Sequence, residues 1–240
     1  MLGRRLHHWP YTVGRLFYPA GETVAELIIQ SGSGSIITGD RLRQRMATGV
    51  GAVARVMGQG AVSVHKSGRF SGSSEELTLS AETGSRLENL AEPRVLFPGA
   101  EFEQSTSIDV ARGGVVISVE AVVLHSEAGA PSQYSSDLAI SIEGRAVARE
   151  TSRMSSAGLR AGSATAFAVI VAVGVADRAQ HADLWVDWIG TVAAPGRYGA
   201  VSDLPFDGGL AVRIAALDGR ELRLAIASAL VVLGRYGAAT

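Results

Sequence analysis

The only lysine of the chain, Lys66, lies in a stretch that is one residue away from a phosphate-binding loop. The stretch reads GAVSVHKSG over residues 60–68, and His65 stands where the second glycine of G-x-x-x-x-G-K-[ST] belongs. That glycine allows a backbone conformation that histidine adopts poorly. The residues after Lys66, SGRFSGSSEE, predict a turn, whereas a phosphate loop must lead into a helix whose N-terminus faces the anion. We therefore interpret residues 61–67 as a strand with a polar end and predict no nucleotide site.

Other residue types that could do chemistry are present, but their spacing commits to no reaction. The chain has no cysteine, which excludes disulfides, thiolate zinc sites and thiol catalysis. Ser33 and Ser35 lack the G-x-S-x-G spacing of a serine hydrolase, and the neighbours Glu75 and Glu76 would point to opposite faces of a strand. No H-x-H or H-E-x-x-H motif occurs among the five histidines, which are His7, His8, His65, His125 and His181. We find no constellation that commits to chemistry; a cryptic hydrolase is the weakest of the functions considered.

Composition limits the partners and the compartment. The chain has 240 residues, of which 47% are hydrophobic and 19% charged, and its formal charge is −1. This predicts a globular protein without general attraction for nucleic acid or an anionic membrane. The longest apolar run, residues 164–176, is too short to cross a bilayer as a helix, and its β-branched residues favour a strand buried on both faces. The N-terminal MLGRRLHHWP does not read as a secretory signal, so we expect a cytoplasmic protein.

Short runs with β-branched residues and period-two alternation dominate the chain, and its 29 glycines would serve the turns between many strands. We predict one mostly β unit over residues 1–240, with few short helices and a C-terminal helix. No fixed repeat stands out, and a doubly wound sheet is unexpected because strands and helices do not alternate. The predicted strands are 25–31, 51–58, 61–67, 75–82, 102–110, 114–126, 137–144, 145–154, 165–176 and 182–190.

The helical signals are few. Residues 218–235 predict the best helix, with Asp218 as its N-cap, Gly234 at its end and leucines on one face. The segment 39–49 is interpreted as a short helical turn. The predicted strand 182–190 carries two tryptophans at positions 185 and 188, which would belong to the core and its rim, or alternatively anchor an interface.

The order of several short blocks resembles that of the urease accessory protein family UreD, also called UreH. An aromatic residue before Tyr-Pro is followed by a strand and a Gly-Asp block, and later by LENLAEPRVLFPGA over residues 87–100. The last strand, AVRIAA, and the C-terminal helix also fit, so the resemblance spans about residues 10–235. The matching positions are Phe17, Tyr18, Pro19, Gly34, Gly39, Asp40, Leu42, Gln59, Ser67, Leu87, Glu88, Leu90, Pro93, Phe97, Gly99, Ala100 and Glu120.

This chain departs from the family pattern in three places. Met57-Gly58 replaces two threonines before Gln59. Ser63 and His65 stand where the family usually has a lysine and a tyrosine. His125-Ser126 stands where the family usually has a glycine-arginine pair. The roles of single residues at these positions therefore stay open.

The resemblance implies a mostly β fold with layered sheets in a sandwich-like or helicoid-like stack, and it predicts that the chain is not an enzyme. Proteins of this family form a complex with UreF and the GTPase UreG on apo-urease, and the complex is a GTP-dependent chaperone that loads nickel. The phosphate loop would then belong to the partner. No tightly bound cofactor is expected, and nickel would contact the chain only transiently. A β-rich module that binds an unrelated partner is the alternative function.

Three acidic residues at family-like positions are candidates to line a polar interior passage for nickel. They are Asp40, Glu88 and Glu120. Nickel accepts imidazole, carboxylate and water ligands, and a carrier must hold it weakly enough to release it. The alternative interpretation of Asp40 is a turn residue, and that of Glu88 is a side chain that faces solvent. Glu120 lies inside an apolar strand, where an ionised group is costly unless it is paired or hydrated.

Overall fold

The computed structural model describes residues 3–19, 23–66, 72–125, 129–157, 159, 163–176, 179–192 and 196–236. The two helices in these ranges are α1 (Ala182–Val192) and α2 (Gly219–Leu233). The strands are β1 (Tyr11–Val13), β2 (Ala25–Ser31), β3 (Ser35–Ile36), β4 (Arg41–Thr48), β5 (Val53–Gly58), β6 (Val62–Val64), β7 (Ser73–Ala81), β8 (Arg86–Leu90), β9 (Arg94–Leu96), β10 (Glu101–Val110), β11 (Val115–Leu124), β12 (Gln133–Ile142), β13 (Arg145–Ser155), β14 (Ala166–Val173), β15 (Arg197–Leu204) and β16 (Gly209–Ala216).

The first half of the chain winds as a solenoid whose circuits place one strand in each of three parallel ladders. The ladders are β2-β5-β8-β11, β3-β6-β9 with the end of β11, and β4-β7-β10-β12. Successive circuits start at residues 25, 53, 86 and 115, at unequal intervals. Because the intervals differ, the sequence shows no fixed repeat although the structure has one. The prediction of layered, stacked sheets is confirmed.

The second half of the chain completes two sheets by antiparallel pairing. Among the described residues, one sheet has eleven strands, with main order β1-β2-β5-β8-β11-β14-β16-β15, and the other has five, in the order β13-β12-β10-β7-β4. Strand β14 lies between β11 and β16 and is apolar on both faces, as its sequence predicts. The inner faces of both sheets form one part of the core.

The helices cover the outer face of the eleven-stranded sheet. Asp218 caps α2 by accepting a hydrogen bond from the Glu221 N–H at 2.9 Å, and Gly234 lies at its C-terminus, as predicted. The α2 face that includes Leu222 and Leu233 is buried with Trp185 and Trp188 of α1. Neither helix is both long and apolar enough to cross a membrane.

Two element predictions are wrong. Residues 182–190, predicted as a strand, belong to α1; Trp185, Trp188 and Val192 recur at helical spacing and are buried, and this spacing outweighs the β-propensity of tryptophan and valine. The segment 39–49, predicted as a helical turn, contains β4. Its arginines alternate with Leu42, Gln44 and Met46, and this period-two pattern fits pairing with β7.

Candidate functional site

Polar side chains cross the space between the two sheets, where the surroundings are otherwise apolar. They come from strands of both sheets and follow one another from β1, at one edge of the eleven-stranded sheet, to β15 at the other. We call this set the interior polar row. Its members are Tyr11, Gln44, Glu75, Arg94, Gln104, Tyr134, Ser136, Glu120, Glu150, Arg213 and Ser202.

Strand register brings these side chains together. Glu75, Gln104 and Ser136 lie directly beside one another on three parallel strands, so their side chains share the inner face of the five-stranded sheet. Glu120 and Arg213 flank Val169 in the opposite sheet. The row therefore follows the ladder direction, perpendicular to the strands.

The first part of the row is a buried ion pair. Arg94 donates to Glu75 Oε2 from Nη2 at 2.6 Å and from Nε at 3.1 Å. Tyr11 and Gln44 donate to the other oxygen, Oε1, at 2.6 and 2.7 Å. Burial by itself would raise the pKa of Glu75, but the Arg94 guanidinium and these hydrogen bonds hold that pKa below its usual value. Glu75 is therefore an ionised, fully coordinated carboxylate.

A cavity of about 210 Å³ opens beside this ion pair. Its wall includes Tyr11, Gln44, Glu75, Arg94 and, at the family-like position, Gln59. The cavity lies where the first solenoid circuit leaves the space between the sheets uncovered. The buried ion pair therefore forms part of the wall of this cavity.

Glu120 is the carboxyl group of the row that has no cationic partner. Ser136 donates to its Oε2 at 2.8 Å, whereas Oε1 has no hydrogen-bond partner among the described residues, and no described residue forms an ion pair with this carboxyl. The residue is only 9% exposed. Burial raises the pKa of Glu120, and the carboxylates of Glu150 and Glu75 raise it further, against the opposing effects of the Thr106 and Ser136 hydroxyls.

The far end of the row is again ionic. Arg213 of β16 pairs with Glu150 of β13 across the two sheets and donates to Ser202 Oγ of β15 at 3.0 Å. Each terminal carboxylate thus has its own arginine, and the central Glu120 does not. The row combines carboxyl, amide and hydroxyl oxygens. No group of three or more acidic, histidine or cysteine side chains poised to chelate a metal exists in the described ranges.

The three predicted passage residues do not lie together. Glu120 belongs to the row. Asp40 lies in the turn before β4, where its Oδ2 accepts the Ile37 N–H at 3.0 Å, as its interpretation as a turn residue predicts. Glu88 points to the outer face of the eleven-stranded sheet, where it bonds Arg55 at 2.7 Å and Arg86 at 2.8 Å. Its side chain is 12% exposed, so the solvent-facing alternative is wrong.

Several other family-like residues have local structural roles. Gly39 and Gly99 adopt φ values of 92° and 74°, a region that favours glycine, and a Cβ on Gly99 would lie 2.7 Å from the Lys66 side chain. Tyr18 is 56% exposed, Pro19 precedes residues outside the described ranges, and Pro93 accepts the Val62 N–H through its carbonyl.

Two of the departures from the family pattern meet in space. His65 and His125 stack on opposite faces of Phe97, with ring centroids 4.6 and 4.8 Å away. Strand β6 contains Ser63 and confirms that a strand enters the phosphate-loop-like stretch, but it ends at Val64, so His65 and Lys66, predicted as part of the strand, lie beyond it. Ser67 and Ser126 lie outside the described residues.

Sequence reasoning missed most of the row. One signal was available: Glu75 alternates in phase with Leu77 and Leu79, so an inward strand face carries it, while Glu76 pairs with Arg43 outside. Arg94 and Glu150 gave no comparable signal. Their partners are 19 and 63 residues away in the chain, and only the register identifies them.

Comparison with known proteins identifies the family. The model of the UreD urease accessory protein family matches residues 1–238. A urease accessory protein UreD of Mycolicibacterium smegmatis is 34% identical over 93% of this chain and 81% of its own length. UreD proteins of Methylorubrum extorquens and a Bradyrhizobium species are 32% and 30% identical over 92% and 93% of this chain, and over 78% and 80% of their own lengths. The chain therefore belongs to the UreD urease accessory protein family.

Proposed function

We propose that this chain is the scaffold of a GTP-dependent chaperone complex with UreF and UreG, which assembles the nickel centre of apo-urease in the cytoplasm. Within that complex, the chain guides nickel along the interior polar row without catalysing a reaction. Family membership and the geometry of the row support this proposal.

The observation that carries the proposal is the buried carboxyl of Glu120, which has an unpartnered oxygen in the middle of a polar row. A buried ionised group without a partner is costly, and a divalent cation beside it would repay that cost. Nickel accepts carboxylate, amide and hydroxyl oxygens. The arginine-paired carboxylates at either end already have cationic partners, so they would bind the ion weakly and let it move on.

The nucleotide chemistry of the complex belongs to UreG in this proposal. His65 replaces the glycine that a phosphate loop requires, and its ring stacks on Phe97. The purified chain alone should therefore show no GTP turnover, and turnover that Lys66→Ala abolishes would contradict this assignment.

The test is urease maturation in cells that carry the urease and accessory genes, with this chain as the variable. Glu120→Ala should fold and still associate with its partners, but the nickel content and activity of the purified urease should fall. Glu103→Ala, an exposed carboxylate on the outer face of β10, is the matched control and should leave both unchanged.

Glu88→Gln tests whether any buried carboxylate of the eleven-stranded sheet affects nickel loading, because Glu88 lies in the same sheet as Glu120 but faces away from the row and pairs with Arg55 and Arg86. It should lower the stability of the chain and leave nickel loading per folded molecule unchanged. Full nickel loading of urease with Glu120→Ala would show that the interior polar row takes no part in nickel loading. Failure to capture UreF and UreG with a folded sample would contradict the scaffold itself.

A further inference from the structure

The first circuit of the solenoid contains a strand that has a neighbour on one side only. Strand β4 pairs along its whole length with β7, and it is the terminal strand of the five-stranded sheet. The N–H groups of Ser74 and Glu82 donate to the carbonyls of Asp40 and Thr48. Even-numbered residues of β4 therefore point their backbone groups toward β7, and the odd-numbered residues Arg41–Ala47 point theirs away from the sheet. Within the described ranges, these outward groups have no hydrogen-bond partner.

The same odd-numbered residues put a line of positive charge on the exposed face. Arg41, Arg43 and Arg45 are all exposed. The Arg43–Glu76 ion pair is 2.9 Å long, but both side chains are more than half exposed, so its strength is small. Arg41 bonds two backbone carbonyls, and Arg45 has no ion-pair partner in the part of the chain that the structure describes.

The other face of β4 is apolar and incompletely covered. Leu42 and Met46 are only half-buried, although each packs against an interior cluster. Met46 and Gln44 also belong to the wall of the 210 Å³ cavity. A terminal solenoid circuit normally needs a cap that covers its interior, and this circuit leaves part of its interior open.

We propose that the free edge of β4 is a docking strand for an extended segment of a partner protein in which acidic and apolar residues alternate. The segment would add a sixth strand and accept and donate the outward backbone hydrogen bonds. Side chains opposite the arginines would lie on the exposed face, where carboxylates complement the charge, and the alternate side chains would cover Leu42 and Met46.

A second copy of this chain fits the edge less well. Pairing of β4 with another β4 would place arginines of one chain opposite arginines of the other, and like charges that face each other directly destabilise a sheet. Arginines on an edge strand can also serve only to prevent aggregation. The two roles differ in one respect, because a purely protective edge would bind neither acidic nor basic strands.

The experiment titrates the full chain with two synthetic eight-residue peptides, one of alternating glutamate and valine and one of alternating lysine and valine, and follows amide hydrogen exchange. The glutamate peptide should slow exchange at Arg41, Arg43 and Arg45, and the lysine peptide should not. Two N-methylated versions of the glutamate peptide are compared, one methylated at the odd-numbered nitrogens and one at the even-numbered nitrogens. Only one of them should lose the effect, because the N–H groups of every second residue face the edge of β4.

Charge reversal supplies the second arm. Arg43→Glu with Arg45→Glu should weaken binding of the glutamate peptide by about tenfold or more and favour the lysine peptide. Arg145→Glu with Arg153→Glu makes the same change of net charge on β13 at the opposite edge, and should leave binding unchanged. Equal binding of both peptides, protection elsewhere than β4, no binding of either peptide, or self-association through β4 would each overturn the proposal. The peptide arm needs no variant, so a misfolded variant does not prevent the decision.

Discussion

At the scale of single residues, the carboxyl groups of the interior polar row differ in how the free-energy cost of their burial is offset. Glu75 and Glu150 each have an arginine partner; removing Arg94 would leave a buried charge at Glu75, whereas the Glu150 side chain is 31% exposed. Glu120 has the hydroxyls of Thr106 and Ser136 and two like-charged neighbours instead. The pKa of this carboxyl is therefore raised in the folded chain, and a cation beside it would lower that pKa.

Glu120→Gln should change how stability depends on pH. The folded-state pKa is raised above the ordinary value of 4.5, so between these two values the folded chain keeps a proton that the unfolded chain has lost. The free energy of unfolding of the parent chain therefore falls as pH rises through this window, by about 1.4 kcal/mol for each pH unit. Glutamine does not titrate, so the variant should gain stability relative to the parent from about pH 5 upward.

Urea unfolding of both chains from about pH 5 to about pH 8 measures this difference, because other titrating groups contribute equally to each. Glu103→Gln, exposed on β10, should show no such trend. A stability difference between the parent and Glu120→Gln that stays constant with pH would mean that the buried carboxyl titrates normally.

At the scale of elements, local pattern decided most assignments correctly. Strands with clear alternation, such as β7 and β10, and the capped helix α2 could be predicted, because periodicity and capping residues are local. Strand β4 and helix α1 could not. The arginines of β4 favour a helix in isolation, and the tryptophans of α1 favour a strand, but pairing with β7 and packing on the sheet outweigh these propensities.

Asp218→Ala should destabilise the chain by about 1 kcal/mol, because the Glu221 N–H loses its acceptor at the start of α2. Asparagine caps helices about as well as aspartate, so Asp218→Asn should retain most of the stability. Chemical unfolding of the three chains at one pH tests this. Equal losses for alanine and asparagine would assign the effect to the charge of Asp218 and exclude the cap.

The Glu75–Arg94 pair links β7 of one sheet to β9 of the other, so its loss should affect both elements. Arg94→Met should cost about 3–5 kcal/mol, because it leaves a buried carboxylate without its cation. Glu75→Gln in the same chain should recover part of that loss, so the double variant is more stable than the sum of the single changes predicts. Additive losses in a double-mutant cycle would mean that the two side chains do not depend on each other.

At the scale of the whole molecule, strand register explains why the fold and one residue of the row could be predicted from the sequence and why the other residues of the row could not. The family blocks and alternating strands predicted a layered β protein, and one row residue, Glu120, was identified among the candidates. The other row members come from strands that meet only when the circuits stack, and the circuits differ in length. Asp40 and Glu88 carry suitable carboxylates, but the turn geometry and the strand face direct them away from the row.

Stacked circuits also predict how the molecule opens. In a solenoid each circuit is stabilised mainly by its neighbours, so opening should start at a circuit with one neighbour. Amides of β11 and β14, which have partners on both sides, should exchange most slowly, and those of β4 should exchange faster. Arg94→Met should then accelerate exchange in β4 and β7 far more than in β14 and β16, because the ion pair holds the open end of the solenoid. Hydrogen exchange at pH 7 in the parent and the variant measures this gradient. Equal acceleration in all four strands would show instead that the chain opens as one cooperative unit.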